Sequence, residues 1–325
     1  MVVEVALAGL GLVILLLAGD ALVKGAVNLA LRLGVPALLV SLTIVAFGTS
    51  APELLIAISA ILDGAPGLAI GNVVGSNIAN VLLVLGVPAL IAGLDTSHCD
   101  TRRNYVFMLI GTLLFMALCF VGPLTHWHGF LLLGLLAYVL VDTWRTAKAQ
   151  RARPADAASG PAAGEEDQED LEGADPSISG WKIAVFLLLG MIGLPLGADL
   201  LVDNAVEIAT RLNVPETVIG LTLVAIGTSL PELATTVSAA LRRQADVALG
   251  NVIGSNMFNL LAIIGISVQV GPIPVDPAIL SFDLWAMLAA TLLLAPFVFT
   301  KIQMGKRVGI GLTALYAAYL IVLVT

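Results

Sequence analysis

The sequence predicts an all-α polytopic membrane protein with ten transmembrane helices, arranged as two inverted repeats of five. Of its 325 residues, 59% are hydrophobic and 12% are charged, whereas about a quarter of the residues in soluble domains are charged. Only helices and closed barrels satisfy every backbone hydrogen bond in lipid, and the short alternating segments of a barrel are absent. The chain also contains an internal repeat, which predicts the inversion.

Each predicted span is an apolar segment of about 20 residues or more, the length that crosses a bilayer. Ten segments meet this condition, at residues 4–33, 36–62, 66–93, 104–122, 127–145, 181–212, 215–241, 245–270, 278–300 and 308–324. The first and the sixth are the longest and are expected to tilt or to project from the membrane. The first also lacks a basic flank, so we interpret it as a transmembrane helix and not as a cleavable signal peptide.

One polar segment, residues 148–178, divides the chain into an N-terminal five-helix repeat over 1–147 and a C-terminal one over 179–325. This segment combines Ala, Gly and Pro with seven acidic residues between Glu165 and Asp175. Low hydrophobicity with high charge does not form a core, which predicts a disordered acidic linker. A calcium-sensing element is the alternative, but its acidic residues lack the Gly-punctuated spacing of a calcium loop.

The internal repeat relates residues 17–86 to residues 196–265 without a gap, at a constant offset of 179, and 34 of the 70 positions are identical. Each copy lies within five predicted spans. Because five is odd, the two halves must enter the membrane in opposite orientations. Inverted repeats of this kind are typical of secondary transporters, whose binding site lies near the midplane of the bilayer between the repeats.

The distribution of Lys and Arg predicts the orientation. With the N-terminus outside, thirteen of these residues fall on cytoplasmic loops and flanks, whereas Arg211 alone falls outside and Lys24 lies within a span. Positively charged loops remain in the cytoplasm. We therefore predict an integral plasma (inner) membrane protein with both termini on the outer side and the acidic linker in the cytoplasm.

Each repeat contains one carboxylate beside a proline inside an apolar run. Residues 48–53 read Gly-Thr-Ser-Ala-Pro-Glu, and residues 227–232 read Gly-Thr-Ser-Leu-Pro-Glu. Proline removes a helical hydrogen bond and frees the carbonyl four residues earlier. A carboxylate at membrane depth is costly and usually marks an ion pathway. The alternative is a proline kink with a hydrogen-bonded Glu, but two equivalent copies favour the ion pathway.

Helix geometry gathers further oxygen ligands beside each Glu, because residues three or four apart share one stripe. The two motif helices carry Ala46, Thr49, Ser50 and Glu53, and Ala225, Thr228, Ser229 and Glu232; the helices that follow carry Asn72, Ser76 and Asn80, and Asn251, Ser255 and Asn259. Two crossing pairs would enclose two carboxylates with hydroxyls, amides and carbonyls, a ligand set that suits Ca²⁺. Neither aligned copy, residues 17–86 or residues 196–265, contains His or Cys, which argues against zinc or copper.

The doubled motif G-T-S-x-P-E, followed by G-N-V-x-G-S-N-x-x-N, resembles the sodium/calcium exchangers of the cation/calcium exchanger superfamily, in particular the prokaryotic type. The resemblance implies that Glu53 and Glu232 bind Ca²⁺ together with the backbone carbonyls of Thr49 and Thr228. It implies sodium sites at the Ala46 carbonyl, Thr49, Ser50 and Ser76, and at the Ala225 carbonyl, Thr228, Ser229 and Ser255, with Asn80 and Asn259 at the centre.

The function implied by this resemblance is secondary active antiport of Na⁺ and Ca²⁺ by alternating access, with the two Glu at the midplane. We therefore expect a transporter and not an enzyme, with no cofactor. Its expected partners are the transported Ca²⁺ and Na⁺ and the lipid bilayer, without nucleic acid or an evident protein partner.

Two related transport functions remain open. In a calcium/proton antiporter, protonation of the two Glu would replace sodium; relatives of that kind usually depart from G-T-S-x-P-E. Some relatives, including potassium-dependent ones, carry Asp at the position of Asn259; the Asn removes one charge and so disfavours potassium co-transport. A channel would need a continuous pore, and an intramembrane hydrolase would need a nucleophile with a base. Asp20 and Asp199 are repeated intramembrane acids, for which bonding within their own helices is the simpler expectation.

Overall fold

The structure is a computed structural model that describes residues 2–34, 37–62, 64, 66–97, 99–151, 177–211, 225–300 and 302–324. Within this part of the chain the fold is helical, and the only β-pairing consists of two isolated bridges. The helices are α1 (Val2–Leu33), α2 (37–49), α3 (Ala51–Leu62), α4 (Pro66–Ile91), α5 (Arg102–Val121), α6 (His126–Arg151), α7 (Gly180–Arg211), α8 (Ala225–Thr228), α9 (Leu230–Leu241), α10 (Ala245–Val270), α11 (Ile279–Phe299) and α12 (Lys306–Val324).

The described helices account for most of the predicted spans. Eight are long and apolar enough to cross a membrane, and the bent pair α2 and α3 forms a ninth if it is counted as one span. The chain is therefore an integral membrane protein. The predicted span over 215–241 falls partly on residues 212–224, outside the described residues, and its described part is α8 and α9. The count of ten spans accordingly stays a prediction.

The boundary of the acidic linker differs from the prediction at its N-terminal end. Helix α6 continues to Arg151, so residues 148–151 belong to a helix and not to the predicted linker. Ala, Lys, Gln and Arg, which make up this stretch, are all good helix formers, and the helix therefore extends beyond its apolar part. Residues 152–176, the greater part of the predicted linker, lie outside the described residues.

Helices α1 and α7 form a closely packed antiparallel pair. A β-carbon built on Gly11 would lie 2.7 Å from the backbone nitrogen of Leu201, and one on Gly197 would lie 2.9 Å from the nitrogen of Leu15. Glycine at these positions allows the two backbones to approach closely. At the ends of the pair, Arg211 forms a 2.8 Å ion pair with Glu4.

The centre of the molecule is formed by α4 and α10. The apolar part of α10 is buried along its whole length and that of α4 is largely buried, whereas the N-terminal half of α1 and most of α6 and α12 are largely not buried. These two central helices carry the two copies of the G-N-V-x-G-S-N motif. The polar residues of the motif therefore lie inside the helical assembly and not on its lipid-facing surface.

Two isolated β-bridges connect the halves of the chain. Leu94 pairs with Met304 through two 3.0 Å hydrogen bonds, and Leu124 pairs with Ile273 through bonds of 2.8 and 2.9 Å. The offset of 179 converts Leu94 into Ile273. The same offset places Leu124 one position before Met304, so corresponding loops of the two halves make similar contacts with the opposite half.

Candidate metal centre

Both Gly-Thr-Ser-x-Pro-Glu motifs interrupt a helix at the serine. Ser50 has φ −88° and ψ 6°, and Ser229 has φ −91° and ψ 4°, so neither residue continues a regular helix. The segments on either side of the first break, Ser41–Thr49 and Glu53–Leu62, are bent by 52°. Since the proline two residues later cannot donate a helical hydrogen bond, the break follows directly from the sequence.

The breaks place Glu53 and Glu232 near the starts of α3 and α9, and both side chains are fully buried. Glu232 accepts hydrogen bonds at Oε1 from the hydroxyl of Ser50 at 3.0 Å and from that of Ser255 at 3.4 Å. Ser50 belongs to the first half of the chain, whereas Ser255 belongs to the second. The site therefore combines both repeats around one carboxylate.

The two threonines of the motifs reach across to asparagines of the opposite half. The Thr49 hydroxyl lies 3.3 Å from Oδ1 of Asn251, and the Thr228 hydroxyl lies 3.4 Å from Oδ1 of Asn72. The offset of 179 converts one contact into the other. Thr49 also lies 3.4 Å from the hydroxyl of Ser255, which brings it into the group around Glu232.

A second layer of amides lies next to these groups. The amide nitrogen of Asn80 donates to Oδ1 of Asn256 at 3.0 Å, and the amide of Asn256 donates to the carbonyl of Asn77 at 3.4 Å. Asn77 and Asn256 were not among the predicted site residues. Each directly follows the serine of its motif, but neither belongs to the stripe of residues four apart from which the site was predicted.

The backbone around the central asparagines is also irregular. Asn80 begins a π-helical turn over Asn80–Val84, and Asn259 lies in another over Phe258–Ile263. Such turns occur often at functional sites. No residue type in either segment indicates a π-helical turn from sequence alone.

The remaining predicted residues are placed as follows. Ala46 is fully buried, and its carbonyl accepts hydrogen bonds from the Ser50 amide at 3.0 Å and the Thr49 hydroxyl at 3.2 Å. Ala225 begins α8, and its side chain lies outside the described part of the structure. Asp20 does not bond within its own helix: its carboxylate accepts from Nε of Arg242 at 2.7 Å. Asp199 lies on an exposed part of α7.

The buried oxygen atoms of the site form a ligand set that fits a hard cation as a substrate. Several buried side-chain atoms have no hydrogen-bond partner among the described residues, namely both carboxylate oxygens of Glu53, Oε2 of Glu232, the hydroxyls of Ser76 and Ser229, Oδ1 of Asn80 and both amide atoms of Asn259. Buried polar atoms normally have partners, and carboxylate, hydroxyl and amide oxygens are the ligands that Ca²⁺ prefers. The described residues contain no group of three or more His, Cys, Asp or Glu that could hold a metal ion by those ligands alone.

The family of the chain follows from a comparison with known proteins. The sequence profile of the sodium/calcium exchanger protein family matches residues 3–144 and again residues 182–325. The chain belongs to the sodium/calcium exchanger family. The two separate matches cover one half of the chain each, in agreement with the internal repeat.

Curated relatives in this exchanger family are similar along almost the whole chain. The sodium/calcium exchanger MaX1 of Methanosarcina acetivorans is 36% identical, with 97% of this chain and 96% of MaX1 covered. The putative antiporter CaxA of Alkalimonas amylolytica is 37% identical, with 91% and 89% covered. The inner membrane protein YrbG of Escherichia coli is 34% identical, with 99% and 97% covered.

A solved structure agrees with the exchanger fold. A structure of the sodium-calcium exchanger NCX_Mj, soaked with zero Na⁺ and Ca²⁺, superposes with a TM-score of 0.81 at 30% sequence identity and covers 99% of each chain. A second structure of the same exchanger, soaked with 2.5 mM Na⁺ and 0.1 mM Ca²⁺, gives a TM-score of 0.80. MaX1, CaxA and NCX_Mj are named as exchangers or as a putative antiporter, which are transporters and not enzymes.

Proposed function

We propose that this protein exchanges Na⁺ for Ca²⁺ across the membrane by alternating access, with Glu53 and Glu232 as the anionic ligands of one central site. The observation that carries the proposal is the hydrogen bond between Ser50 of the first half and Glu232 of the second, at 3.0 Å. It joins the two helix breaks, each with its fully buried Glu. The similarity to the sodium/calcium exchanger MaX1 over most of both chains supports the same assignment.

The charge of the site accounts for the coupling between the two ions. Two buried carboxylates repel each other strongly in a medium of low dielectric constant. One Ca²⁺ or several Na⁺ would neutralise them, and the two loads would compete for the same oxygens. The protein without bound ions then changes poorly between its outward-open and inward-open states, because uncompensated buried charge is costly. The smaller pockets for Na⁺ would be lined by the hydroxyls of Thr49, Ser50 and Ser76 and by those of their equivalents Thr228, Ser229 and Ser255. The Ala46 and Ala225 carbonyls would be further ligands, with Asn80 and Asn259 at the centre.

Alternating access would use the predicted arrangement of ten spans in two inverted repeats, 1–147 and 179–325. The antiparallel pair α1 and α7 supports this arrangement, because Gly11 meets Leu201 and Leu22 meets Gly190, which are equivalent contacts under the offset of 179. We propose that α1 and α7 move together against the other helices around a fixed site. Both termini would lie on the outer side of the plasma membrane, with the acidic linker that follows Arg151 on the cytoplasmic side.

The test is calcium uptake by proteoliposomes that contain the purified protein. Sodium, potassium and proton gradients are imposed one at a time and the uptake of isotopic calcium is measured. We expect uptake that requires internal sodium and that is unaffected by potassium, because Asn259 adds no third carboxylate. Uptake driven equally by a proton gradient alone would establish a calcium/proton antiporter, and uptake that requires potassium would establish a potassium-dependent exchanger; either result contradicts the proposal.

A further inference from the structure

We infer that Thr236 is a positioning residue for the cation site, present in only one of its two halves. This inference rests on the proposed function, because it assigns Thr236 a role in cation affinity. Thr236 lies on α9, one turn after Glu232, and is fully buried. It was not among the residues that the sequence motifs indicated.

Thr236 connects the backbone of Glu232 to an asparagine of the central helix α10. Its hydroxyl donates to the Glu232 carbonyl at 2.7 Å and accepts from the amide nitrogen of Asn251 at 3.1 Å. The same amide nitrogen lies 3.3 Å from the Glu232 carbonyl. The hydroxyl and the carbonyl together orient the Asn251 side chain, because each occupies one direction in which its NH₂ group can donate.

The orientation of the Asn251 amide determines whether Thr49, in the first half of the site, faces a hydrogen-bond acceptor or a donor. With its nitrogen directed to Thr236, Asn251 presents Oδ1 to the hydroxyl of Thr49 at 3.3 Å. Thr49 precedes Ser50, which donates to Glu232. A rotation of the Asn251 amide would offer a donor to Thr49 in place of an acceptor, and the Thr49 hydroxyl would then donate to the Ala46 carbonyl alone, at 3.2 Å.

The first half of the site lacks this connection. The offset of 179 places Ala57 where the second half has Thr236, and Asn72 where it has Asn251. Ala57 is fully buried and has no hydroxyl to accept a hydrogen bond. The amide nitrogen of Asn72 has no hydrogen-bond partner among the described residues, although its Oδ1 receives the Thr228 hydroxyl at 3.4 Å.

Two halves of nearly identical sequence thus differ in how firmly their asparagines are oriented. The second half holds Asn251 through both its nitrogen and its oxygen, whereas in the first half Asn72 is held through its oxygen alone. A site with one rigid and one adjustable half can contract around a divalent ion and expand around several monovalent ions, while keeping Glu232 in place. The residue pair at 57 and 236 would therefore set the calcium affinity of the exchanger.

The experiment compares the wild-type protein with the variants T236V, T236S and A57S. Valine has the shape of threonine without its hydroxyl, serine restores the hydroxyl, and A57S provides the first half with the missing acceptor. For each, calcium uptake by sodium-loaded proteoliposomes is measured against external calcium, which separates KM from the maximal rate. Calcium binding to the purified protein is measured by equilibrium dialysis with isotopic calcium.

We expect T236V to raise the KM and the Kd for calcium about tenfold, the effect of one neutral hydrogen bond, and T236S to restore both values. The maximal rate should change much less in both variants. A57S should lower the Kd for calcium and also lower the maximal rate, because a site with two rigid halves releases its ion more slowly.

Equal impairment of T236V and T236S, or a lower maximal rate of T236V with unchanged KM and Kd, would show that Thr236 only fills space and would overturn the inference. A57S with wild-type constants would contradict the adjustable first half. If the wild-type protein binds calcium but a sodium gradient drives no uptake, the proposed function is wrong and the ratio of Kd values between T236V and wild type still decides the inference. A wild-type protein that binds no calcium would overturn both.

Discussion

At the scale of the residue, the proposed site contains two glutamates in different environments. The carboxylate of Glu232 accepts hydrogen bonds from Ser50 and Ser255, whereas both oxygens of Glu53 have no hydrogen-bond partner among the described residues. The equivalent hydroxyls in the other half, those of Ser229 and Ser76, are likewise without partners in that part of the chain. The two acids are therefore equivalent in sequence but not in their contacts.

This assignment predicts the effect of neutral substitutions at both acids. E53Q and E232Q should each lower calcium uptake about a hundredfold or more, since the loss of one partner in a buried charged contact costs about 2–5 kcal/mol. Gln keeps the size of Glu, so the purified variants should keep the helical circular dichroism and the elution volume of the wild-type protein. Uptake at the wild-type rate in either variant would show that the residue is not a ligand.

At the scale of the element, the site depends on the close approach of α10 to α2. A β-carbon built on Gly254 would lie 2.6 Å from both the β-carbon of Ala46 and the carbonyl oxygen of Leu42. Gly254 immediately precedes Ser255, one of the two donors to Glu232. A larger residue at this position must move α10 away from α2 and so alter the site.

We accordingly predict that G254A lowers the stability by about 1–3 kcal/mol, the usual cost of overpacking, and lowers calcium uptake more than tenfold. The matched control is G311A on α12, where a β-carbon would have no described atom within 4 Å. Stability is measured as the thermal midpoint of each variant in one detergent, and transport as calcium uptake. Equal behaviour of the two variants would contradict the importance of the contact between α10 and α2.

At the scale of the whole molecule, the proposed alternating access would move α1 and α7 relative to the other helices. Gly19 of α1 lies against α9, where its β-carbon would be 3.1 Å from the hydroxyl of Ser238. Gly25 of α1 lies against α7, where its β-carbon would be 3.0 Å from Cγ of Leu187. Both separations suit a disulfide between introduced cysteines, but only the first bond would connect the moving pair to the rest.

The prediction is that G19C/S238C, made with Cys99 and Cys119 replaced by alanine, loses transport on oxidation and recovers it on reduction. The control G25C/L187C should form its disulfide and continue to transport, because it links two helices that move together. Crosslinking is measured by the shift of the oxidised protein on a denaturing gel, and transport by calcium uptake. Transport that persists in fully crosslinked G19C/S238C would contradict this motion.

The predicted orientation is a separate property of the whole molecule and has its own test. In the same cysteine-free background, S159C in the acidic linker should react with a membrane-impermeant thiol reagent only from the cytoplasmic side. T325C at the C-terminus should react only from outside. Reaction of both from one side would mean that the C-terminal half has an even number of spans, and the inverted arrangement would then be wrong.

The sequence by itself determined the membrane class, the helix breaks and the family. Apolar length predicted α10 at Ala245–Val270. The proline of each motif predicted a helix opened beside the acid, and the structure shows the interruptions at Ser50 and Ser229. Both properties depend on neighbours within one helical turn. The family resemblance rested on motifs that are continuous in the chain, and the matches to residues 3–144 and 182–325 confirmed it. The extension of α6 to Arg151 was missed, since helix formation in water depends on propensity and not on apolar length.

Only the tertiary structure decided which groups meet. Ser50 and Glu232 are separated by 182 positions, and Thr49 and Asn251 by 202, distances over which no local periodicity carries information. Thr236 and Asn251 are only 15 positions apart, but they lie on two different helices. Neither their hydrogen bond nor its absence at Ala57 is therefore visible in local periodicity. The repeat predicts two equal halves, but a single methyl or hydroxyl at the contact between helices makes them unequal, because a buried hydrogen bond depends on the partner that packing places beside it.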